Sequence, residues 1–479
     1  MRLTAAEVAA AAGGELVAGD PGTVFAMFTN DSRALESLEP VEPGTSSEAC
    51  FVALRDRRDG HDFVDAAFAA GAVGAVVSRV PDALMHAHGR AIVRVDDPAR
   101  ALMAIATEAR SRLDDLQVVA ITGSTGKTST KDLAAAAIGA GRVVHANPES
   151  FNNEIGLPLT VLGADALTQV LVTEMGARFK GNIAELCAIA RPSIGVVTNI
   201  GLAHAEHLGG PEGVLAVKGE LLEALPRTGL AVVDGDDQVT PRLVARSRAP
   251  VLRCGSGPGV DVRLTRCELD DQLRASIVVR TPWGPVATTL GVRGQHQATN
   301  ALFAIAVAGW LGVAPDVITA GLAAATGSRW RLELERRADG LAVLNDVYNA
   351  NPTSMAAALR ALAALTTTGR RIAVLGEMRE LGEHSSDAHA SVGELAGRLG
   401  IDVVVGVGAG GAEITASATS VPTRLDTADA AEALVAVRSL VGSGDVVLLK
   451  ASRAVGLELV AHGLLAPDQL GAGTCGSHS

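Results

Sequence analysis

Thr122 to Thr130 reads TGSTGKTST and follows directly on the apolar run LQVVAI, Leu116–Ile121. A compact apolar run, a Gly-rich turn and a helix-length stretch from Thr128 make the strand–loop–helix unit that wraps phosphates. Gly123 and Gly126 let the backbone fold round an anion, and the amide N–H groups at the helix start face it with positive potential. Lys127 supplies a point charge for the β- and γ-phosphates of ATP, and the Thr128 hydroxyl suits Mg²⁺. Ser124, Thr125 and Ser129 fill out the loop. The spacing is tighter than the standard G-x-x-x-x-G-K-[ST], whose first glycine would fall at Ile121. A Gly-rich turn with no ligand is the plain alternative, and the preceding strand and the Lys-Thr pair weigh against it.

Further buried strands at VLVTEM and GVVTNI, with helical segments between them, predict a parallel sheet wrapped by helices. Ligands gather at strand carboxyl ends in such sheets, so Glu174 and His204, which follow these two runs, are candidate metal ligands. A solvated strand-end acid and a capping or core histidine are their ordinary readings. His207 leaves a zinc pair with His204 conceivable, though no cysteine or third histidine stands nearby.

Near Cys254 the pattern changes. After the turn cluster CGSGPG, the runs DVRLTRCEL, ASIVVRT and VATTLGV alternate with period two, as an antiparallel β insert does, before a helix at Ala298–Leu311. A third unit starts near Trp330, where LAVLNDV, RRIAVLG, DVVVGVG and DVVLLK are separated by helix-length segments. Ahead of Leu116, AGAVGAVVS and AIVRVDD read as short buried strands among Ala-rich helices, EPVEPGTSSEA (39–49) as a loop, and the tail GAGTCGSHS as a frayed end. The expected fold class is α/β in three domains: a central P-loop parallel-sheet ATPase domain with an antiparallel β insert, a C-terminal Rossmann-like domain, and an N-terminal domain. The N-terminal domain is expected over 1–114, the central one over 115–328 and the C-terminal one over 329–479.

Composition narrows the partners. A net charge of −12 disfavours a phosphate backbone, and 3% aromatic residues disfavour base stacking, so no nucleic acid is expected. The five cysteines, Cys50, Cys187, Cys254, Cys267 and Cys475, form no C-x-x-C pair and suit a reducing compartment. The start MRLTAAEVAAAAGG is not of signal-peptide type, and the run Ala301–Ala314 is too short to span a bilayer. A cytoplasmic protein without a membrane partner is expected.

Ordered stretches along the chain carry a family resemblance. TGSTGKTST, NNEIGLPLTVL (Asn152–Leu162), TEMGA (Thr173–Ala177), TNIGLAH (Thr198–His204) and VKGELL (Val217–Leu222) resemble the central domain of the Mur ligases. GQHQATNALFAIAVA, NDVYNANPTSM and LLKASR continue the match, and TNDSR … FVAL … GHDF resembles the family's nucleotide-sugar domain, so nearly the whole chain is covered. The YNANPTSM string is closest to the members that add D-alanyl-D-alanine, and the D-N-P-R signature of those that add the third amino acid is missing.

The resemblance implies an acid–D-amino-acid ligase of peptidoglycan synthesis, and with it a part in cell shape and cell division. Its substrates would be UDP-N-acetylmuramoyl-tripeptide, D-alanyl-D-alanine and ATP with Mg²⁺, acting through an acyl phosphate, with the protein a monomer. It also implies roles. Thr128 and Glu174 would hold one Mg²⁺ and His204 a second, aided by Lys218 as a carbamate; an unmodified lysine on a helix surface is the ordinary alternative. Asp31, Ser32 and Arg33 would contact the UDP portion, Asn152 and Asn153 the muramoyl substrate, and Asn300 the adenine. Arg331 fits the arginine that approaches the γ-phosphate, with Arg329 close enough to compete. Asp346, Tyr348, Asn349 and Asn351 would face the nucleotide or the dipeptide, and Lys450, Ser452 and Arg453 would close the site.

Three departures from the family pattern stand out: His296–Gln297 for the commoner His-Asn, Ala451 for a glycine in KASR, and a loose GEMREL. Rival readings are a sibling amide ligase of the folylpolyglutamate synthase type, which lacks the DSR domain, a P-loop regulatory ATPase, whose Asn-Lys-x-Asp motif TNIG does not supply, and an inactive binding protein.

Overall fold

The strand Gln117–Thr122 stands third from one edge of a nine-stranded sheet, flanked by Ile194–Val197 on one side and Val170–Glu174 on the other. The computed structural model describes residues 1–36, 48–56, 58–80, 89–148, 150–201 and 205–466. His204 lies outside them, and with it the zinc pair with His207, as do the tail from residue 467 and all but two residues of the loop 39–49.

From Val170–Glu174 the sheet ends at Val144–Ala146; in the other direction it runs through Leu230–Asp234, Val251–Gly255, Val262–Leu269, Arg274–Arg280 and Val286–Arg293. Every neighbouring pair is parallel up to Val262–Leu269, and the last two pairings are antiparallel. The alternating segment is therefore an extension of the central sheet. Cys254 and Gly255 pair in parallel with Val262 and Arg263, which joins the two parts. The helix His296–Trp310 covers this junction, packing on the extension and on the helix Lys127–Gly139. It is buried from Ala301 to Gly309, and this explains why its sequence is apolar all round. Burying Phe303 alone stabilises the fold by about 1.5–3 kcal/mol.

The C-terminal domain has six strands in the order Glu333–Arg336, Ala342–Asn345, Val446–Lys450, Arg371–Gly376, Val403–Val407, Thr423–Thr427. Only the first pairing is antiparallel. Alternate side chains of Ala342–Asn345 enter different cores, Ala342 and Leu344 on one face and Val343 on the other, as a sheet covered by helices on both faces requires.

At the amino end a five-stranded sheet runs Glu15–Ala18, Ala91–Arg94, Gly74–Val77, Ala49–Val52, Met27–Thr29. The helix Pro98–Ser111 leads from it to the central sheet. Asp97 caps its start, accepting from Ala99 N at 2.8 Å, and Pro98 sits where no amide donor is needed. Its buried Arg110 donates to the carbonyls of Ala190, Leu113 and Leu116 at 3.0, 2.6 and 3.2 Å, fastening the connection to the central domain. One apolar core runs from Leu3 through this helix to Leu221, so the two sheets share an interior. Cys50, Cys187, Cys254 and Cys267 are free thiols. Among the described residues no helix is long and apolar enough to cross a membrane.

Candidate active site

The loop after Gln117–Thr122 is shaped by two glycines. Gly126 caps the helix Lys127–Gly139 in the left-handed region at φ 78°, and a methyl there would stand 2.5 Å from Asn300 Oδ1. A methyl on Gly123, at φ 148°, would meet Thr198 Oγ1 at 1.9 Å. Both positions therefore demand glycine on conformation and on space. The loop is latched by the strand end next door: Asn199 Oδ1 accepts from Thr125 N at 3.0 Å, its Nδ2 donates to Thr125 Oγ1 at 2.6 Å, and Thr198 Oγ1 donates to the Thr125 carbonyl at 2.6 Å. Ser124 Oγ donates to the Gly201 carbonyl at 3.1 Å.

Lys127 turns back over the loop and donates to the Gly123 carbonyl at 3.0 Å. Burial pulls its pKa down, opposed by the Glu174 carboxylate. Thr128 Oγ1 donates to Glu174 Oε2 at 2.7 Å and lies 3.0 Å from Ser150 Oγ. The other oxygen of Glu174 accepts from Asn152 Nδ2 at 2.7 Å, and its backbone N donates to Asn147 Oδ1 at 3.1 Å. Glu174 is 1% exposed, so these donors and the nearby cations are what keep a carboxylate tolerable there. Asn300 donates to Gln297 Oε1 at 2.8 Å, and Gln297 Nε2 reaches Ser129 Oγ at 3.4 Å. The His-Gln departure thus supplies a side chain that orients Asn300.

Lys218, on the helix Gly210–Ala224, is fully buried, which corrects the surface-lysine alternative. Its Nζ has no hydrogen-bond partner among the described residues. Burial first, then the charge of Lys127, pulls its pKa down to about 7, against the pull of Glu174 and Glu220.

The C-terminal domain completes the wall. Trp330 and Leu332 hold φ of 62° and 51°, a region where side-chain-bearing residues are strained, and Arg331 stands between them. Arg331 Nη2 donates to Thr128 Oγ1 at 2.9 Å and reaches Ser150 Oγ at 3.4 Å, and its guanidinium lies 4.3 Å from the centre of the Tyr348 ring. Arg329 packs over Trp330 at 4.9 Å and does not line this cavity, so of the two candidate arginines Arg331 faces the phosphate loop. Lys450 is 2% exposed; its Nζ pairs with Asp346 Oδ2 at 2.7 Å and donates to the Asn349 carbonyl at 2.8 Å. Burial lowers its pKa, and Asp346 opposes the shift. Asn351 caps the helix Pro352–Ala364, accepting from Ser354 N at 2.9 Å.

Together these groups line one cavity of about 620 Å³. It gathers Ser124–Ser129, Asn152, Asn153, Glu174, Asn300, Arg331, Asp346, Tyr348, Asn349, Asn351 and Lys450. It does not gather Gly123 or Lys218, which stand behind its wall, nor Asp31, Ser32, Arg33, Ser452 or Arg453. Asp31 instead accepts from Arg33 Nε and Nη2 at 2.9 and 2.7 Å, which holds its pKa low. Ser452 Oγ accepts from Arg379 N at 3.0 Å, and Arg453 lies 4.0 Å from the Trp330 ring centre. Ala451 is not in the left-handed region, so the missing glycine leaves no backbone strain there. Chemically, a cation-lined phosphate loop faces a second set of charged groups across a cavity large enough for a nucleotide and a reacting carboxylate.

Residues 121–308 match the Mur ligase middle domain, and residues 330–453 match the Mur ligase, glutamate ligase domain. Over 401 residues the chain is 42% identical to a Mycobacterium tuberculosis protein named UDP-N-acetylmuramoyl-tripeptide--D-alanyl-D-alanine ligase, a match covering 79% of this chain and 78% of that one. The chain belongs to the Mur ligase family. This Mur ligase is also similar to the crystal structure of MurF from Acinetobacter baumannii, at 29% identity and a TM-score of 0.84, over 97% of this chain and 99% of that one. A MurF ligase from Thermotoga maritima, solved in complex with ADP, is 29% identical with a TM-score of 0.75, over 91% and 96% of the two chains.

Sequence reasoning passed over several groups that build this Mur ligase's cavity. Asn147 and Ser150 lie in NPESFNN, and their spacing to Asn152 was the available signal. Asn199, inside TNIG, is the loop's latch.

Proposed function

We propose that this Mur ligase joins D-alanyl-D-alanine to UDP-N-acetylmuramoyl-tripeptide, giving the UDP-N-acetylmuramoyl-pentapeptide precursor of peptidoglycan with ADP and phosphate. The observation that carries the reading is the single cavity in which Lys127, Thr128 and Glu174 of the phosphate loop region face Arg331, Asp346 and Lys450 of the C-terminal domain. The substrates named for the Mycobacterium tuberculosis relative select the dipeptide.

In this reading the terminal carboxylate of the tripeptide attacks the γ-phosphorus of ATP and the bond to ADP breaks, giving an acyl phosphate. The dipeptide amine attacks the acyl carbon and loses its proton, and the C–O bond to phosphate breaks. An anion must approach an anion, so Lys127 and Arg331 serve by neutralising charge and by positioning. Gly123 through Ser129 cradle the phosphates, and Asn300 faces the adenine with Asp346, Tyr348 and Asn349 beside the nucleotide. Asn152, Asn153 and Asn351 meet the peptide substrates. Asp31, Ser32 and Arg33 bind the UDP end, and Lys450, Ser452 and Arg453 close the site.

The donor set fits Mg²⁺: the Thr128 hydroxyl and the Glu174 carboxylate already meet at one spot, and the unpartnered Lys218 Nζ would become an oxygen donor as a carbamate, with His204, which the family resemblance names, as a further ligand. Bound there, Mg²⁺ supplies charge neutralisation on the phosphates. The partly neutral amine of Lys218 is the form that adds CO₂, releasing one proton. We assign 1–114 to UDP-sugar binding, 115–328 to ATP and 329–479 to ligation, in a cytoplasmic monomer.

Phosphate release with ATP, Mg²⁺ and UDP-muramoyl-tripeptide, with and without D-alanyl-D-alanine, tests the reading. Release that needs both substrates and yields the pentapeptide mass is expected. ATP turnover indifferent to both would sink it.

A further inference from the structure

The link between the central and C-terminal domains is a wall shared by two cavities. Arg331 and Asp346 line the candidate active site, whereas their chain neighbours Trp330 and Asn345 line a second cavity of about 630 Å³. Arg293, Arg329, Glu333, Glu335 and His462 are its other polar lining residues, beside three apolar ones. Glu333 is the antiparallel register partner of Asn345, so the two side chains stand together on one face of the sheet.

Two groups in this cavity are in the wrong state for a solvent-filled dent. Asn345 is 3% exposed, yet its Oδ1 has no hydrogen-bond partner among the described residues. The buried Nε of Arg293 is likewise unpartnered. Buried polar atoms are nearly always satisfied, and one acceptor and one charged donor left unsatisfied in the same hollow point to a missing partner with both characters. Arg329 adds a second guanidinium at the rim, over Trp330, and Glu333 adds a carboxylate.

We propose that this cavity binds a small zwitterion, a free α-amino acid or dipeptide. Arg293 and Arg329 take its carboxylate, and Glu333 and Asn345 Oδ1 take its ammonium group. A simple anion leaves Asn345 Oδ1 and Glu333 unanswered, and a simple amine leaves both arginines unanswered. Because Trp330 and Arg331 are consecutive, occupancy on one side constrains the arginine on the other. The binding site itself does not rest on the proposed reaction.

The chain has three tryptophans, so a Trp283→Phe/Trp310→Phe protein reports Trp330 alone. Titration with alanine or glycylglycine should change its emission saturably, while acetate and ethylamine at the same concentrations should not. Asn345→Leu should weaken alanine binding by about tenfold or more, as loss of a hydrogen bond to a charged group does. Arg329→Ala, at an exposed position that leaves the fold intact, should weaken it as well, whereas Asn351→Ser, which lines only the active-site cavity and keeps its helix cap, should leave it unchanged. No saturable response to either zwitterion overturns the proposal. So does an equal response to acetate, or a response lost in Asn351→Ser, which would move the ligand to the active-site cavity.

Discussion

Arg331 donates to the Thr128 hydroxyl at 2.9 Å across the divide between the C-terminal and central domains. The same hydroxyl donates to Glu174, so a cation from one domain is tied to the carboxylate site of the other through one oxygen atom. Phosphate charge entering the cavity therefore meets Arg331 only in the arrangement that keeps the two domains together.

Removing that cation should be costly and local. Arg331→Ala is expected to lower kcat/KM on the order of a hundredfold or more, the usual loss for one charge-stabilising donor. Arg329→Ala, packed over Trp330 outside the cavity, should stay within about threefold of the parent. Steady-state ligation assays on both proteins decide the matter; comparable losses in the two would contradict the assignment.

Lys218 makes stability and activity depend on pH in a stated direction. Its pKa of about 7 in the folded protein lies below the ordinary lysine value near 10.4, so the unfolded chain binds more protons between those limits. Stability should therefore rise with pH through that window, and the destabilisation should be fully present below about pH 7. Lys218→Met should melt higher than the parent at pH 6, show a flatter dependence of Tm on pH, and lose ligase activity. A ¹³C carbamate signal from labelled bicarbonate should appear in the parent and not in Lys218→Met. A melting curve indifferent to pH across the window would remove the buried-lysine argument.

Gly126→Ala should damage nucleotide binding more than folding. The new methyl would crowd Asn300 Oδ1 at 2.5 Å at a left-handed position, a strain of about 1–3 kcal/mol that moving the loop relieves. The expected outcome is a raised KM for ATP with a modest fall in Tm. An unchanged KM would show that the Gly126–Asn300 approach plays no part.

Asn152→Ala takes away a donor to Glu174 at 2.7 Å, a bond to a charged group that contributes about 1.5–3 kcal/mol. Because Glu174 is buried, its carboxylate should reorient, and the Mg²⁺ concentration for half-maximal activity should rise by roughly tenfold. Magnesium titration of the initial rate tests this; an identical midpoint would separate Asn152 from the metal site.

Much of the fold was legible because local pattern and tertiary role agree. LQVVAI is apolar apart from Gln117 and becomes an interior strand buried on both faces from Val118 onward, and the glycines after it sit where only glycine fits. The alternating runs after Cys254 announced antiparallel strands, but not their attachment, which depends on the Cys254–Val262 pairing and on a helix some thirty residues later. At the site, charge and spacing singled out Lys127, Thr128 and Glu174. Spacing could not separate Arg329 from Arg331, because that choice is made by the left-handed backbone at Trp330 and Leu332, which neither residue type advertises. Nor could it show that Lys218 is sealed from water, since burial of one helix face is a property of what packs on it.

Tyr348 is the chain's one tyrosine, and its ring lies under the guanidinium that spans the two domains. The protein thus carries its own gauge of closure. Fluorotyrosine incorporated throughout would yield a single ¹⁹F resonance, and that line would follow the approach and retreat of Arg331 during turnover with no other change to the molecule.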